Sequence, residues 1–343
     1  MAHPAPMPFK YRVELWLARW SRRWYGLRRR RLEPAPPAAF TLRAGNGPGV
    51  PAAPNPHAIP PILWAYWSGG TPPLLVERCF AQWCRLHPGF AVRILDADSV
   101  RHYVPDIPPA LARAAVAKQS DWLRLELLRR YGGIWLDAST ILTEPLDWVL
   151  AEQARTGADY LGYYLERFTT VPERPVVESW FMAAPAASPF IEDVQREFSD
   201  EVITRTGQGY IDHLRAQGLY EQVCQRIDPP DYLSIHLAMQ VVLLRGGAYR
   251  LLLAKAEDGP FYYHRLGRWG RTALKMRILF ARIGAELPAM VKLRAPDRRR
   301  LDDYLARGLY LPDSLVGRLL MADADPPSTG PSAHPLHPGE PSP

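Results

Sequence analysis

Residues 120–140 read SDWLRLELLRRYGGIWLDAST, and this stretch predicts a helix that turns directly into a strand. Leu123 and Leu127 lie one helical turn apart, which indicates a buried helix face. Two glycines follow, and glycine commonly ends a helix because it adopts a left-handed backbone without strain. The apolar run IWLD then predicts a short strand that ends at the carboxylate of Asp137.

Strand-like and helix-like segments alternate on both sides of this stretch. The predicted strands span 61–67, 90–95, 134–137, 159–164 and 179–185, and the further predicted helices span 74–86, 188–202, 231–245 and 270–283. Such alternation predicts an α/β fold with a Rossmann-like, mostly parallel mixed sheet and helices on both faces. The first three strands end at Ser68, Asp96 and Asp137, and we expect these ends to lie on one rim, where ligands of such sheets bind.

The folded body is predicted to be one domain over residues 60–321. A proline-rich linker precedes it over 33–59, and a tail rich in proline and small polar residues follows over 322–343 and is predicted to be disordered. The three cysteines form no metal-binding spacing, which fits a reducing cytoplasm.

The positive charge of the chain is concentrated at its N-terminus. The net charge is +7, and residues 1–32 hold nine Lys or Arg and one Glu, so the body is close to neutral and no nucleic-acid partner is expected. The apolar residues of this segment recur at steps of three and four, in the order Phe9, Val13, Trp16, Leu17, Trp20, Trp24 and Leu27. We expect residues 1–32 to form an amphipathic helix on an anionic membrane surface. The alternative is a helix that packs on the body through the same stripe.

Several polar side chains of the opening stretch are expected to converge on one ligand. Asp121 and Arg124 are three residues apart, so on a helix they share a face and can pair. Asp137 and Ser139 alternate, so in extended chain they project to the same side. A surface ion pair and a carboxylate that caps a turn are the alternative readings of these residues.

With these residues in view, the stretch resembles the glycosyltransferases that carry the signature D-x-x-R followed by Y-G-G-x-W/Y-x-D-x-D. It is most similar to the bacterial capsular polysaccharide synthesis proteins. Further similarity lies in IPPILWAYWSGGTPPLLVERCFAQWCRLHPGFAVRILD, SWFMAAPAASPFIEDV, DYLSIHLAMQ and HRLGRW. The resemblance covers most of residues 58–270 and implies a GT-A fold, a nucleotide-sugar donor (most often a UDP-sugar) and transfer to an acceptor hydroxyl, with a retaining outcome.

The resemblance also implies roles for individual residues. Asp121, Arg124 and Asp137 would be catalytic, and the donor would contact Trp64, Trp67, Asp121, Arg124, Gly133, Asp137 and Ser139. A divalent metal, Mn²⁺ or Mg²⁺, would be held weakly by Asp137, Ser139 and His264. Relatives carry a second carboxylate where this chain has Ser139, and this departure leaves the metal requirement open.

The expected protein is therefore a glycosyltransferase of capsule, exopolysaccharide or cell-envelope glycan synthesis. Its acceptor would be a glycan or an isoprenoid-linked saccharide, and its place would be the bacterial cytoplasm, peripheral on the inner face of the plasma membrane. Two alternatives stay open: a sugar-phosphate transferase of capsule assembly, and a catalytically degenerate scaffold bound to the membrane.

Overall fold

The structure is a computed structural model that describes residues 9–44 and 53–322. Its helices are α1 Phe9–Arg28, α2 Leu74–Leu86, α3 Val100–Tyr103, α4 Val116–Tyr131, α5 Asp147–Thr156, α6 Pro189–Glu197, α7 Gly207–Ala216, α8 Tyr220–Val223, α9 Ser234–Arg245, α10 Tyr262–Leu266, α11 Arg271–Phe280, α12 Ala295–Arg298, α13 Leu301–Ala306 and α14 Leu315–Leu320. Its strands are β1 Thr41–Ala44, β2 Ile62–Tyr66, β3 Ala91–Leu95, β4 Gly133–Leu136, β5 Thr140–Leu142, β6 Tyr160–Leu165, β7 Val176–Ala184, β8 Arg250–Lys255 and β9 Met290–Lys292.

Within these described residues, one sheet of seven strands has the order β1-β8-β6-β7-β4-β2-β3. The pairs β2–β3, β2–β4 and β6–β8 are parallel, and the pairs β1–β8, β4–β7 and β6–β7 are antiparallel. Because β2, β3 and β4 run parallel, their carboxyl ends lie at one edge, as the sequence predicts. The α/β class, with a mixed central sheet and helices on both faces, is confirmed.

Alternate side chains along the central strands enter two separate hydrophobic cores. Leu63 of β2 and Ile134 of β4 face one core, whereas Trp64 and Trp135 face the other. The first core includes residues of α2, α11 and α14, and the second includes residues of α4, α6 and α9. This two-sided burial explains why these strands read as continuous apolar runs.

The two glycines of the signature make the reversal from α4 into β4 possible. Gly132 has φ +65° and Gly133 has φ +102°, both in the left-handed region. A Cβ on Gly133 would lie 2.7 Å from the carbonyl oxygen of Ile62 on the neighbouring strand. The glycines therefore let β4 lie directly against β2, which carries Asp137 to the rim.

The N-terminal helix α1 lies against the body. Tyr11, Leu15 and Ala18 of α1 are buried against the body, and Glu14 pairs with Arg300 and accepts a hydrogen bond from the Tyr304 hydroxyl at 3.2 Å. The helix thus packs on the body, through a face other than the predicted apolar stripe. The apolar stripe itself stays exposed; its members are between 37% and 84% accessible.

The proline-rich stretch after α1 is also partly fixed to the body. Glu33 pairs with Arg277 at 3.2 Å, Ala35 is buried, and β1 adds an edge strand beside β8. The first part of the predicted linker over 33–59 therefore lies against the body. Residues 45–52 and the predicted tail from 323 onward lie outside the described residues.

A small two-stranded ribbon completes the rim. Strand β5 follows Asp137 after a short turn and pairs antiparallel with β9, which places Thr140 opposite Lys292. Sequence periodicity does not reveal these strands because each has only three residues. The ribbon brings a distant part of the chain to the carboxyl end of β4.

Candidate active site

A cavity of about 620 Å³ opens where β2 and β4 end. Trp67 follows β2, Asp137 follows β4, and Asp121 and Arg124 enter from α4. The cavity thus brings together the polar residues that the sequence predicts to converge. Its position at the strand ends is the one expected for an α/β sheet.

Arg124 links the two aspartates. Its Nη2 lies 3.0 Å from Oδ1 of Asp121 and 3.4 Å from Oδ1 of Asp137, and its Nη1 donates to the carbonyl of Ser179 at 2.6 Å. The guanidinium also lies over the ring of Trp135 at 5.0 Å. Only 7% of the Arg124 side chain is exposed, so this is a buried structural and electrostatic centre rather than a surface ion pair.

The two aspartates have opposite pKa shifts. Burial raises the pKa of Asp121 above its ordinary value, and the nearby Arg124 offsets this only in part. Burial also favours a higher pKa for Asp137, but the charges of Lys292 and Arg124 outweigh it and hold that pKa below the ordinary value. Asp137 is therefore ionised in the folded protein.

Lys292 is the closest charged partner of Asp137. Its Nζ lies 2.6 Å from Oδ2 of Asp137, while Trp135 Nε1 donates to Oδ1 at 3.1 Å. The Lys292 side chain is 8% exposed and lines the cavity. Both carboxylate oxygens of Asp137 are thus already engaged by donors.

Further polar groups of the cavity wall lack partners within the described chain. The indole nitrogens of Trp67 and Trp180 and the Nδ1 atom of His236 are buried without a hydrogen-bond partner there. His236 Nε2 lies 3.2 Å from a carboxylate oxygen of Glu178. Buried polar groups are almost always satisfied, and these three unpartnered groups belong to residues that line the cavity.

Three of the predicted site residues lie elsewhere. Trp64 is 1% exposed and donates to the carbonyl of Gly132 at 2.8 Å, so it supports the α4–β4 turn and does not line the cavity. Gly133 also lies outside the cavity lining, where its role is the close approach to β2. His264 is 1% exposed and bonds to Asp297 at 2.9 Å. These placements correct the predicted donor contacts of Trp64 and Gly133 and the predicted metal contact of His264.

Ser139 lines the cavity, but its hydroxyl is engaged by a backbone carbonyl. The Ser139 Oγ donates to the carbonyl of Leu293 at 2.9 Å, and the Leu293 N–H donates to the carbonyl of Ser139 at 3.0 Å. The predicted donor set of Asp137, Ser139 and His264 therefore does not fit a divalent cation. Across residues 9–44 and 53–322, no group of three or more His, Cys, Asp or Glu is placed to hold a metal.

His264 instead belongs to a buried cluster behind the cavity. Oδ2 of Asp297 accepts from His264 Nε2 and from Arg294 Nε, both at 2.9 Å. Burial favours a higher pKa for Asp297, but its bonds to His264 and Arg294 outweigh this and lower the pKa well below the ordinary range. Burial lowers the pKa of His264, against the effect of Asp297. His264 of the HRLGRW stretch thus holds Asp297 in place through a hydrogen bond. Asp297 in turn holds Arg294, which lines the cavity.

The sequence alone missed the cationic wall of the cavity. It consists of Arg167, Lys292, Arg294 and Arg298. The available signal was MVKLRAPDR at 290–298, a short apolar strand followed by alternating basic residues. Of the basic residues at 298–300, Arg298 lines the cavity and Arg300 pairs with Glu14 of α1.

Comparison with known proteins gives a consistent class. A model of the family described as capsular polysaccharide synthesis protein matches residues 52–201. O-glycosyltransferase braB of Annulohypoxylon truncatum is 33% identical over 259 residues, which cover 61% of this chain and 60% of the relative. O-glycosyltransferase PaGT of Phomopsis amygdali is 28% identical over 139 residues, or 35% of this chain and 34% of the relative. The chain therefore spans less than two thirds of the length of either relative.

Solved structures with some likeness include one titled PaToxG Glycosyltransferase, at TM-score 0.31 and 12% identity over 70% of this chain and 96% of that chain. Another is a glycosyltransferase involved in the glycosylation of the major capsid of PBCV-1, at TM-score 0.37 and 10% identity over 72% and 100%. Scores this low assign no residue role in this chain.

The curated relatives that this chain resembles are glycosyltransferases, and the α/β fold carries a cavity at the strand ends. Over residues 52–201 the chain is similar to the family described as capsular polysaccharide synthesis protein.

Proposed function

We propose that this protein transfers a sugar from a nucleotide-sugar donor, a UDP-sugar above all, to a hydroxyl group of a polysaccharide or a lipid-linked saccharide. One observation carries the proposal: the cavity combines the buried Asp121–Arg124–Asp137 cluster with a cationic wall. Carboxylates suit the hydroxyl groups of a sugar, and cations suit a diphosphate. Both halves of a nucleotide sugar thus have matching groups in one cavity.

The chemistry follows from the charges of the cavity. The bond between the anomeric carbon and the diphosphate oxygen breaks, and its electron pair stays on that oxygen. The acceptor oxygen forms the new bond to the anomeric carbon, and its proton passes to the departing diphosphate, which suits a retaining transfer. Fixed cations beside the diphosphate lower the barrier because they stabilise the charge that develops there.

The test is nucleotide release by the purified full chain. Each nucleotide sugar is incubated with and without an acceptor, and free nucleoside diphosphate is measured. Asp137→Asn should lower the rate by about 100-fold, because it removes the charge that organises Arg124 and Lys292. Asp258→Asn is the matched control: Asp258 also pairs with one lysine and one arginine and is equally exposed, at 30% of its side chain, but it lies outside the cavity lining.

The released product also separates the two alternatives. A sugar-phosphate transferase would release the nucleoside monophosphate, and a degenerate scaffold would release nothing. Release of nucleoside diphosphate that does not depend on Asp137 would contradict the proposed site.

We also propose that α1 attaches the protein to an anionic membrane surface, at the inner face of the plasma membrane. Trp16, Trp20 and Trp24 are between 54% and 58% exposed on a helix whose opposite face is packed on the body. Tryptophan and arginine side chains on one helix suit the interface of an anionic bilayer. No helix within the described residues has the length and apolarity to cross a membrane. The curated relatives named above are fungal. A role in a bacterial capsule pathway is therefore part of this proposal.

Point variants test the membrane proposal better than deletion of the helix, because deletion would expose the core behind α1. The double variant Trp20→Ser and Trp24→Ser should sediment less with anionic liposomes while its melting temperature stays unchanged. Val116→Ser, at an exposed apolar residue of α4, serves as the control. Unchanged sedimentation of the double variant would contradict a membrane role for this face.

A further inference from the structure

We propose that Lys292 takes the place of a divalent cation: its ammonium group, held by Asp137, binds the diphosphate of the donor without metal. The inference rests on the proposed function, because it assumes a nucleotide-sugar donor. It concerns a residue for which neither the signature nor the family resemblance predicts a role.

The first argument is that the residues expected to hold a metal are committed elsewhere. Both oxygens of Asp137 already accept hydrogen bonds, from Lys292 and Trp135. The Ser139 hydroxyl is donated to the Leu293 carbonyl, and His264 is bonded to Asp297. A small dication at Asp137 would also lie against the lysine ammonium, and like charges at such a distance repel strongly.

The second argument is the geometry of Lys292 itself. An ammonium group has three N–H donors, and Asp137 takes one of them at 2.6 Å. Within residues 9–44 and 53–322, Asp137 is the hydrogen-bond acceptor found for this group. The ammonium lies 5.7 Å from the ring centre of Trp180, another residue of the cavity wall. Two donors thus remain for a ligand in the cavity.

The third argument is that Lys292 is held firmly where it is. Thr140 faces Lys292 across the β5–β9 ribbon. The backbone N–H of Lys292 donates to the carbonyl of Pro260 at 3.2 Å. A donor that is fixed before the substrate arrives stabilises developing charge without reorganisation. The ammonium can therefore act as a preorganised cation.

In the reaction, the lysine acts as a hydrogen-bond donor. Burial lowers the pKa of Lys292 from its ordinary value, and the charge of Asp137, 2.6 Å away, opposes that shift. As the bond from the anomeric carbon to the diphosphate breaks, negative charge grows on the diphosphate oxygens, and the ammonium of Lys292 donates hydrogen bonds to them; Arg294 and Arg298 are further basic residues of the cavity lining. Lys292 thus supplies positive charge where the family resemblance implies a metal ion.

The test measures nucleotide binding as well as turnover. The affinity of the full-length protein for UDP and for GDP is measured by calorimetry in EDTA and again with Mn²⁺. We expect the better ligand of the two to bind equally in both conditions, within about twofold, and we expect turnover to persist in EDTA. Lys292→Met should weaken binding about 10- to 100-fold, and Lys292→Arg should recover part of the loss because it restores the charge.

Lys275→Met is the matched control. The Lys275 side chain is 7% exposed, against 8% for Lys292, and it bonds to the carbonyl of Arg299 outside the cavity lining. It should keep the affinity of the unsubstituted protein. Binding and turnover that require Mn²⁺ would overturn the lysine inference and leave the proposed function standing. A protein that binds no nucleotide and turns over no nucleotide sugar, with metal or without, would overturn both.

Discussion

Replacing Ser139 by aspartate restores the second carboxylate of the D-x-D signature, and the structure predicts that this change destabilises the protein. Ser139 is 4% exposed, and its Oγ donates to the Leu293 carbonyl at 2.9 Å. An ionised aspartate has no proton to donate. Its carboxylate would face that carbonyl oxygen in a buried place.

The magnitude follows from two contributions. Loss of the hydrogen bond costs about 1 kcal/mol, and a buried charge that faces an acceptor costs about 1–3 kcal/mol more. We therefore expect Ser139→Asp to lower the free energy of unfolding by roughly 3 kcal/mol. Ser139→Ala, which removes the bond and adds no charge, should lower it by about 1 kcal/mol.

The assay is urea unfolding of both variants, with and without Mn²⁺. The reasoning requires the aspartate variant to be the less stable of the two and to gain no Mn²⁺-dependent stability. An aspartate variant as stable as the alanine variant, and further stabilised by Mn²⁺, would show that residue 139 points into the cavity and that a metal site forms there.

Three further predictions concern the cavity and the cluster behind it. Asp121→Asn should lower turnover about 10- to 100-fold, because Asp121 lines the cavity, and should also lower the melting temperature, because the buried Arg124 loses a charged partner; unchanged turnover of the folded variant would contradict a role in the site. Trp180→Phe should weaken donor binding several-fold at unchanged stability, because its indole N–H has no partner in the described chain. The control is Trp122→Phe, which loses a hydrogen bond to Ser199. It should lower the free energy of unfolding by about 1 kcal/mol and leave donor binding unchanged. Asp297→Asn should lower the free energy of unfolding by about 3 kcal/mol at pH 7. Because the folded-state pKa of Asp297 is depressed, its stabilisation is present above about pH 4 and is lost as the pH falls further, so urea unfolding should show the gap between variant and unsubstituted protein closing in acid.

Local pattern was enough to predict the scaffold of the site. The leucine spacing, the two glycines and the apolar run IWLD predict the turn from α4 into β4, and the i, i+3 spacing predicts the Asp121–Arg124 pair. Both features depend on neighbours in sequence. The α/β class follows in the same way from alternation along the chain.

The remaining features of the site depend on contacts between distant residues. Lys292 reaches Asp137 through a strand too short to show a periodicity, and the direction of the Ser139 hydroxyl depends on the carbonyl of Leu293. The packing of α1 was ambiguous for another reason: the helix has apolar residues on two faces, and the more hydrophobic face is the exposed one. The helix packs on the body through Tyr11, Leu15 and Ala18, and the ion pair between Glu14 and Arg300 adds to this contact.

The β5–β9 ribbon also determines when the Asp137–Lys292 pair can form during synthesis of the chain. Lys292 follows Asp137 by 155 residues, and at ordinary rates of translation the ribosome needs about 8 to 30 s to add them. During that interval the nascent chain carries the whole signature, yet its carboxylate has no ammonium partner. A chain that is cut or stalled before β9 would keep the recognisable motif and lack the completed charge pair.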